Sequence, residues 1–159
     1  MPGITGLAGK TANMHALPRM LGRLRHHAWY ARSEWVAARG EAGLGRVALG
    51  LINVASQPVA NEDGSKHAVL EGEVYDYAAH RRRLEAAGHI FVSVSHAELI
   101  LHGLEEEGAP FLRRLEGSFS AAVWDGVARR LTLVNDCFGM RPLYYAHLPG
   151  RLLFGSELK

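Results

Sequence analysis

Apolar residues recur along this chain with two periods, and the points where one period gives way to the other mark its elements. Gly3-Ile4-Thr5-Gly6-Leu7-Ala8-Gly9 is short, apolar and studded with glycine, which predicts a buried strand closely approached by another backbone or a ligand. From His15 to Ala31, the residues Leu17, Leu21, Leu24 and Ala28 return at helical spacing, with Pro18 near the start where proline is tolerated. A helix with one core-facing side is expected there. Glu34–Ala38 and Gly45–Val54 read as strands, the second on its run Val47-Ala48-Leu49-Gly50-Leu51-Ile52. Asn61-Glu62-Asp63-Gly64 predicts a turn between strands, since Asp-Gly tolerates the positive φ of tight hairpins. Lys66–Leu70 is then a strand that runs on into Glu71-Gly72-Glu73.

Two helices follow. Asp76 is placed to cap one that reaches about Ala87 and stops at Gly88. Ser95 is placed to cap the next, with Glu98 three residues on in capping-box position, and that helix ends near Gly108-Ala109-Pro110. The last third is strand-rich: Ser118–Trp124, Leu131–Asn135, Leu143–His147 and Leu152–Phe154, punctuated by Asp125-Gly126 and Pro149-Gly150. Strands grouped around two central helices predict an α+β chain with an antiparallel sheet. No repeat or linker interrupts it, so residues 1–159 are expected to form a single domain.

Composition removes several function classes. At 48% hydrophobic and 21% charged the chain is ordinary globular material, and at this length it buries roughly 68–70% of its unfolded surface without disulfides or metal. A net charge of +2 gives no electrostatic reason to expect nucleic acid. The basic run His80-Arg81-Arg82-Arg83 lies in a helical pattern and reads as a solvated face. The lone cysteine, Cys137, precludes an intramolecular disulfide and any multi-cysteine zinc site. No apolar stretch approaches the ~18–20 residues that span a bilayer, and no signal pattern opens the chain, so a soluble, cytoplasmic protein without membrane contact is expected. Nine histidines show neither His-Glu-x-x-His nor close His-x-His spacing, and His26-His27 point apart on the expected helix, so no metal site is expected. Gly43-Leu44-Gly45 lacks the lysine of a phosphate loop, and no cofactor is expected.

Three stretches carry a family signal: Met1-Pro2-Gly3-Ile4-Thr5-Gly6-Leu7, Leu70-Glu71-Gly72-Glu73-Val74-Tyr75-Asp76-Tyr77, and Asn135-Asp136-Cys137-Phe138-Gly139-Met140-Arg141-Pro142-Leu143-Tyr144-Tyr145. With Gln57-Pro58, Ser95-His96-Ala97-Glu98, Leu115-Glu116-Gly117-Ser118-Phe119-Ser120, Trp124-Asp125 and Phe154-Gly155-Ser156-Glu157-Leu158-Lys159 in the same order, the whole chain resembles class II glutamine amidotransferase domains, specifically the N-terminal domain of asparagine synthetase. The resemblance implies the N-terminal-nucleophile (Ntn) hydrolase fold, a four-layer αββα sandwich of two antiparallel sheets between helical layers.

In that family a cysteine exposed by removal of the initiator methionine attacks the side-chain amide of glutamine, with its own α-amine as base, and the ammonia passes to a second domain. Here Pro2 stands at the nucleophile position and offers no nucleophilic side chain. Cys137 falls in a distant segment and reads as a small packing residue. The arginine that holds the glutamine carboxylate aligns with Ala48, and the upstream Arg-Gly-Pro-Asp motif is missing near His26–Tyr30. The asparagine of the oxyanion hole aligns with Glu71, an acceptor where a donor is needed; losing one such donor typically costs ~10²–10³ in rate. His96 replaces the aspartate that pairs with the substrate amine, Glu73 lines the same pocket, and Gly72 alone retains its oxyanion N–H. Asp136 and Arg141 read as a structural ion pair or turn clasp.

A scaffold kept while its pocket chemistry is gone implies a catalytically degenerate glutaminase-like domain. Its expected partner is an ATP-dependent, amide-forming synthetase domain in cis or in trans, as in the β-lactam synthetase and lasso-peptide cyclase relatives that the resemblance brings in. A peptide or amino-acid-derived substrate and a homodimer are both compatible with that reading, as are a freestanding homologue and a piece of a longer chain. Two alternatives stay open. If Met1 is removed, the secondary amine of Pro2 can act as base or nucleophile. Alternatively, the altered pocket binds a different ligand, with a cation near Glu71 favoured and glutamine disfavoured by ~2–3 kcal/mol for its lost arginine partner.

Overall fold

In a computed structural model that describes residues 2–158, the glycine-rich N-terminal run is strand β1 (Gly3–Ala8), buried along its whole length because it is the middle strand of a sheet. Helix α1 (Ala16–Leu24), β2 (Ala31–Val36) and β3 (Ala42–Ala48) follow. The short β4 (Val59–Ala60) and the long β5 (Lys66–Val74) flank the Asn61–Gly64 turn. Then come α2 (Tyr77–Ala86), α3 (His96–Glu107), α4 (Ala109–Arg113) and the strands β6 (Gly117–Asp125), β7 (Arg130–Asn135), β8 (Tyr144–Leu148) and β9 (Arg151–Gly155). All the described strand pairs are antiparallel, in two sheets ordered β2-β3-β1-β9-β8 and β4-β5-β6-β7.

The sheets, and not the helices, occupy the middle. On β1 and β3 the alternation of side chains sends Ile4, Ala8, Ala42 and Leu44 inward, where they meet Val69, Ala122 and Trp124 of the other sheet. The opposite face of the first sheet, with Leu7 and Val47, packs on Leu17, Leu21 and Leu24 of α1. On the second sheet, Leu70, Ala121 and Phe119 face Leu99, Ile100 and Phe111 from α3 and α4, with Leu84 of α2 in the same cluster. Helix, sheet, sheet and helix therefore stack as the resemblance implies. Gly45 lets α1 seat closely, since a Cβ there would press within 2.8 Å of the Leu21 methyls.

Several local expectations are corrected. The first helix stops at Leu24 and not Ala31: Arg25 Nε donates to the Tyr30 carbonyl at 2.9 Å, the chain turns, and Ala28 is exposed. His26 and His27 thus lie off the helix, His26 Nε2 against Glu157 Oε1 at 2.9 Å and His27 stacked near Trp29. The expected strand Gly45–Val54 ends at Ala48, because Gly50 and Asn53 take positive φ (74° and 51°) and Leu51 and Val54 are exposed. Asp76 makes no side-chain cap and has φ 52°. Ser95 does cap α3, accepting from the Ala97 N–H at 3.2 Å. Glu98 does not close a capping box; its buried carboxylate accepts from the backbone N–H groups of Val92 (2.6 Å) and Ser93 (3.0 Å). Cys137 is exposed and packs no core. The basic run sits on the helix surface as expected, with Arg81 paired to Glu85 and Arg83 to Glu107. No helix of the described residues is long and apolar enough to cross a membrane.

Candidate functional site

The β1–β3 register sets Gly3 opposite Val47, so Pro2 and Ala48 lie at the same end of the first sheet. Pro2 is half-buried just ahead of β1, and Ala48, at the end of β3, presents only a methyl group. Arg46 lies two residues before Ala48 and therefore on the same, inward face of the strand. It reaches the second sheet. Its Nε donates to Glu71 Oε2 at 2.9 Å, and both side chains are nearly closed off from water, 5% and 9% exposed.

Arg46 also determines the path of the loop after β3. Its Nη1 donates to the Asn53 carbonyl at 3.0 Å and its Nη2 to the Ile52 carbonyl at 3.4 Å, so one guanidinium pairs with a carboxylate and holds the turn that ended the strand early. Asn53 continues the network: its Oδ1 accepts from the His96 backbone N–H at 3.1 Å, while its buried Nδ2 finds no acceptor among the described residues. His96 Nδ1 accepts from the Val74 backbone N–H at 2.9 Å, which returns the chain of bonds to β5, the strand of Glu71. The His96 ring stacks on Tyr77, centroids 4.6 Å apart and 8° from parallel. A histidine in this role keeps its proton on Nε2, and burial lowers its pKa although the Glu73 carboxylate opposes that shift. Glu73 itself is exposed at the rim.

Glu71 has a second cation nearby, Arg141 Nη1, 3.8 Å from Oε1. Burial pushes the Glu71 carboxyl above the ordinary range, and the charges of Arg46 and Arg141 pull against that. Gly72, next to it, has φ 107°, and a Cβ there would overlap the Ser118 carbonyl oxygen, so only glycine fits. Arg141 is brought in by the 136–141 turn. Asp136 clasps that turn: its carboxylate accepts from the backbone N–H groups of Phe138 (3.0 Å), Met140 (3.1 Å), Phe119 (3.2 Å) and Arg141 (3.4 Å). Burial alone would raise Asp136, but these four donors outweigh it and hold the carboxyl below its ordinary value. The expected turn clasp is therefore present, with Arg141 contributing its backbone to Asp136 and its side chain to Glu71.

The structure thus gathers Glu71, Gly72 and His96, with Ala48 and Pro2 at the end of the neighbouring sheet. Sequence reasoning passed over Arg46 and Asn53, which tie the site together. The available signal was a lone arginine in an apolar strand, two positions from Ala48. The pocket reading that leaves Glu71 free for a cationic ligand is corrected as well, since Arg46 of the same chain already supplies that cation. A cavity of about 540 Å³ lies elsewhere, on the α1 side of the first sheet, lined by Thr5, Met20, Leu24, Tyr144 and Leu153.

Comparison with known proteins bears on this arrangement. The family described as a glutamine amidotransferase domain matches residues 1–159. Asparagine synthetase [glutamine-hydrolyzing] 2 of Bacillus subtilis is 40% identical over 111 residues, covering 70% of this chain and 14% of that protein. A putative asparagine synthetase [glutamine-hydrolyzing] of Mycobacterium bovis is 32% identical over 167 residues, 99% of this chain and 26% of that one. Amidase chry2 of Gibberella zeae is 32% identical over 146 residues, 90% of this chain and 22% of its own. This chain therefore spans no more than about a quarter of these relatives. Among solved structures, glutamine phosphoribosylpyrophosphate amidotransferase from B. subtilis superposes with a TM-score of 0.76 at 19% identity, covering 97% of this chain and 41% of that one, a likeness of fold.

Proposed function

Because this chain belongs to the glutamine amidotransferase domain family, we propose that it is a glutaminase-like domain that no longer hydrolyses glutamine and that supports an ATP-dependent, amide-forming synthetase domain in cis or in trans. The observation that carries the reading is the buried Arg46–Glu71 pair. Amide hydrolysis through a tetrahedral intermediate needs hydrogen-bond donors aimed at the developing oxyanion. At the position that the family resemblance assigns to such a donor stands a carboxylate, anchored to an arginine across the sheets.

The remaining positions fit the same reading. Pro2 supplies no thiolate, Ala48 no charge for a substrate carboxylate, and the Nδ1 lone pair of His96 is spent on the Val74 N–H. Of the groups that would engage glutamine, Pro2 and Ala48 are apolar and Glu71 and His96 are already paired within the chain, while Gly72 and the exposed Glu73 keep their ordinary chemistry. What is retained is the framework: the αββα stack, the glycine at position 72 and the Asp136 clasp. The synthetase partner is proposed from the relatives, two of which bear the name asparagine synthetase and are several times longer than this chain.

Calorimetric titration with glutamine tests the reading at the level of binding. No saturable heat is expected, because the substrate carboxylate lacks an arginine at Ala48 and the amide meets a carboxylate at Glu71. Binding of glutamine at micromolar affinity would overturn it.

A further inference from the structure

Away from the Arg46–Glu71 network, two histidines that sequence spacing left unconnected are brought face to face. His102 lies on α3, about 9 Å along the helix from His96. His89 lies just beyond α2, after Gly88. Their Nδ1 atoms are 3.2 Å apart. Glu62, from the β4–β5 turn, brings Oε1 to 4.0 Å from His102 Nδ1, and one ligand atom from each of Glu62, His89 and His102 lies within 4.8 Å of the others. From the turn above His102 on the same helix, Glu105 adds Oε2 at 3.3 Å from His102 Nδ1.

We propose that Glu62, His89 and His102 form a binding site for a first-row divalent metal ion of the zinc type, with Glu105 or water at the fourth position. The outer contacts orient the rings for it. His89 Nε2 lies 3.2 Å from Glu106 Oε2 and His102 Nε2 lies 3.8 Å from Glu98 Oε1, so each ring turns its Nε2 side to a carboxylate and its Nδ1 to the common centre. Glu98 faces His102 at 3.8 Å, beyond hydrogen-bond distance, whereas a carboxylate hydrogen-bonded to the outer nitrogen, as Glu106 is to His89, is the arrangement that fixes the tautomer of metal-bound histidines. Glu105 is fixed in the same way: its Oε1 accepts from Asn61 Nδ2 at 2.9 Å and pairs with Lys66 Nζ at 3.1 Å, leaving Oε2 for the cluster.

The spacing agrees with the chemistry. Tetrahedral bonds of about 2.0–2.1 Å place neighbouring ligand atoms about 3.3 Å apart, and the Nδ1–Nδ1 and Nδ1–Oε2 separations here are 3.2 and 3.3 Å. Glu62 is 55% exposed, so it can close the remaining distance without disturbing the core. Two imidazole nitrogens with carboxylate oxygens suit zinc and its neighbours, whereas magnesium and calcium prefer oxygen alone. An ion here would tie together the β4–β5 turn, the α2–α3 connection and α3, three segments that are otherwise joined through side chains.

The test is a titration of the tag-free full chain, first stripped with chelator, with Co²⁺ followed by visible absorption and then displaced by Zn²⁺. One equivalent per chain is expected, with the intense bands of low-coordinate cobalt lost as zinc enters, and zinc is expected to raise Tm. His89→Gln and Glu62→Gln are expected to weaken binding at least as much as an outer-sphere change, which costs about 10–100-fold. Glu106→Gln is expected to weaken it by about tenfold, and His147→Gln, on exposed β8, to leave it unchanged. His102 is 2% exposed, so the half-buried His89 and the exposed Glu62 carry the test if a His102 variant does not fold. No saturable binding would overturn the proposal. Binding indifferent to both His89→Gln and Glu62→Gln would overturn it equally.

Discussion

Arg46 and Glu71 meet across the space between the two sheets, Nε to Oε2 at 2.9 Å, with neither side chain more than a tenth exposed. Removing one member of such a pair strands the other, and Arg46→Met is expected to cost about 3–5 kcal/mol near neutral pH. Burial already holds the Glu71 carboxyl above its ordinary value against the pull of Arg46, and loss of that arginine raises it further. For a carboxyl raised on folding, stability is intact below the unfolded pKa and falls as pH rises through the folded one. The deficit of Arg46→Met relative to wild type is therefore expected to be smaller at about pH 5 than at about pH 8, with a pH-independent part from the Ile52 and Asn53 carbonyls that lose their donor. Replacing both residues by apolar ones, Arg46→Met with Glu71→Leu, is expected to recover the part of the loss that comes from the stranded carboxylate, the Ile52 and Asn53 carbonyls lacking their donor in both variants. Urea denaturation of wild type and the two variants at both pH values measures this.

The Asp136 clasp makes the opposite pH prediction. Its carboxyl is held low by four backbone N–H groups that outweigh burial, so its contribution is complete above the ordinary carboxylate value and is lost as pH falls through the lowered folded one. Asp136→Ala is expected to cost about 2–4 kcal/mol at neutral pH, since it leaves several donors without an acceptor. The difference from wild type should shrink on acidification. Thermal melts across an acid series check both the size and the sign.

Two glycines separate backbone need from mere occupancy. Gly72 has φ 107° and no room for a Cβ beside the Ser118 carbonyl, so Gly72→Ala is expected to prevent folding or to cost more than about 3 kcal/mol. Gly22, in α1, has open space around it, and Gly22→Ala is expected to stabilise by about 0.5–1 kcal/mol through helix propensity. Denaturation midpoints of the two variants decide it.

The fold was legible because its signals are local or collinear. A short apolar, glycine-studded run marked β1, turn residues beside them marked β5 and β6, Ser95 marked the start of α3, and Asp63-Gly64 and Pro149-Gly150 marked turns. The boundaries that failed are those set by single side-chain bonds to nearby backbone carbonyls. The run Leu49–Ile52 has strand-like composition, yet Arg46 binds the carbonyls of Ile52 and Asn53 and draws the chain into a loop. Ala28 keeps the helical period, yet Arg25 takes the Tyr30 carbonyl and turns the chain first. At the site, Glu71 and Gly72 were placed by motif, but the partner of Glu71 comes from another sheet, 25 residues away in sequence. The Nδ1 atoms of His89 and His102 meet only because α2 and α3 pack together, and no short spacing motif records that. The signal present was His102-x-x-Glu105, one turn of a helix.

Glutamate release by the purified chain supplied with excess glutamine tests most directly the proposed loss of glutamine hydrolysis. Glutamate no higher than in a protein-free blank is expected throughout a long incubation, because Pro2 has no thiolate and Arg46 holds the Glu71 carboxylate at the position proposed for an oxyanion donor. Sustained glutamate formation in proportion to protein concentration would contradict it.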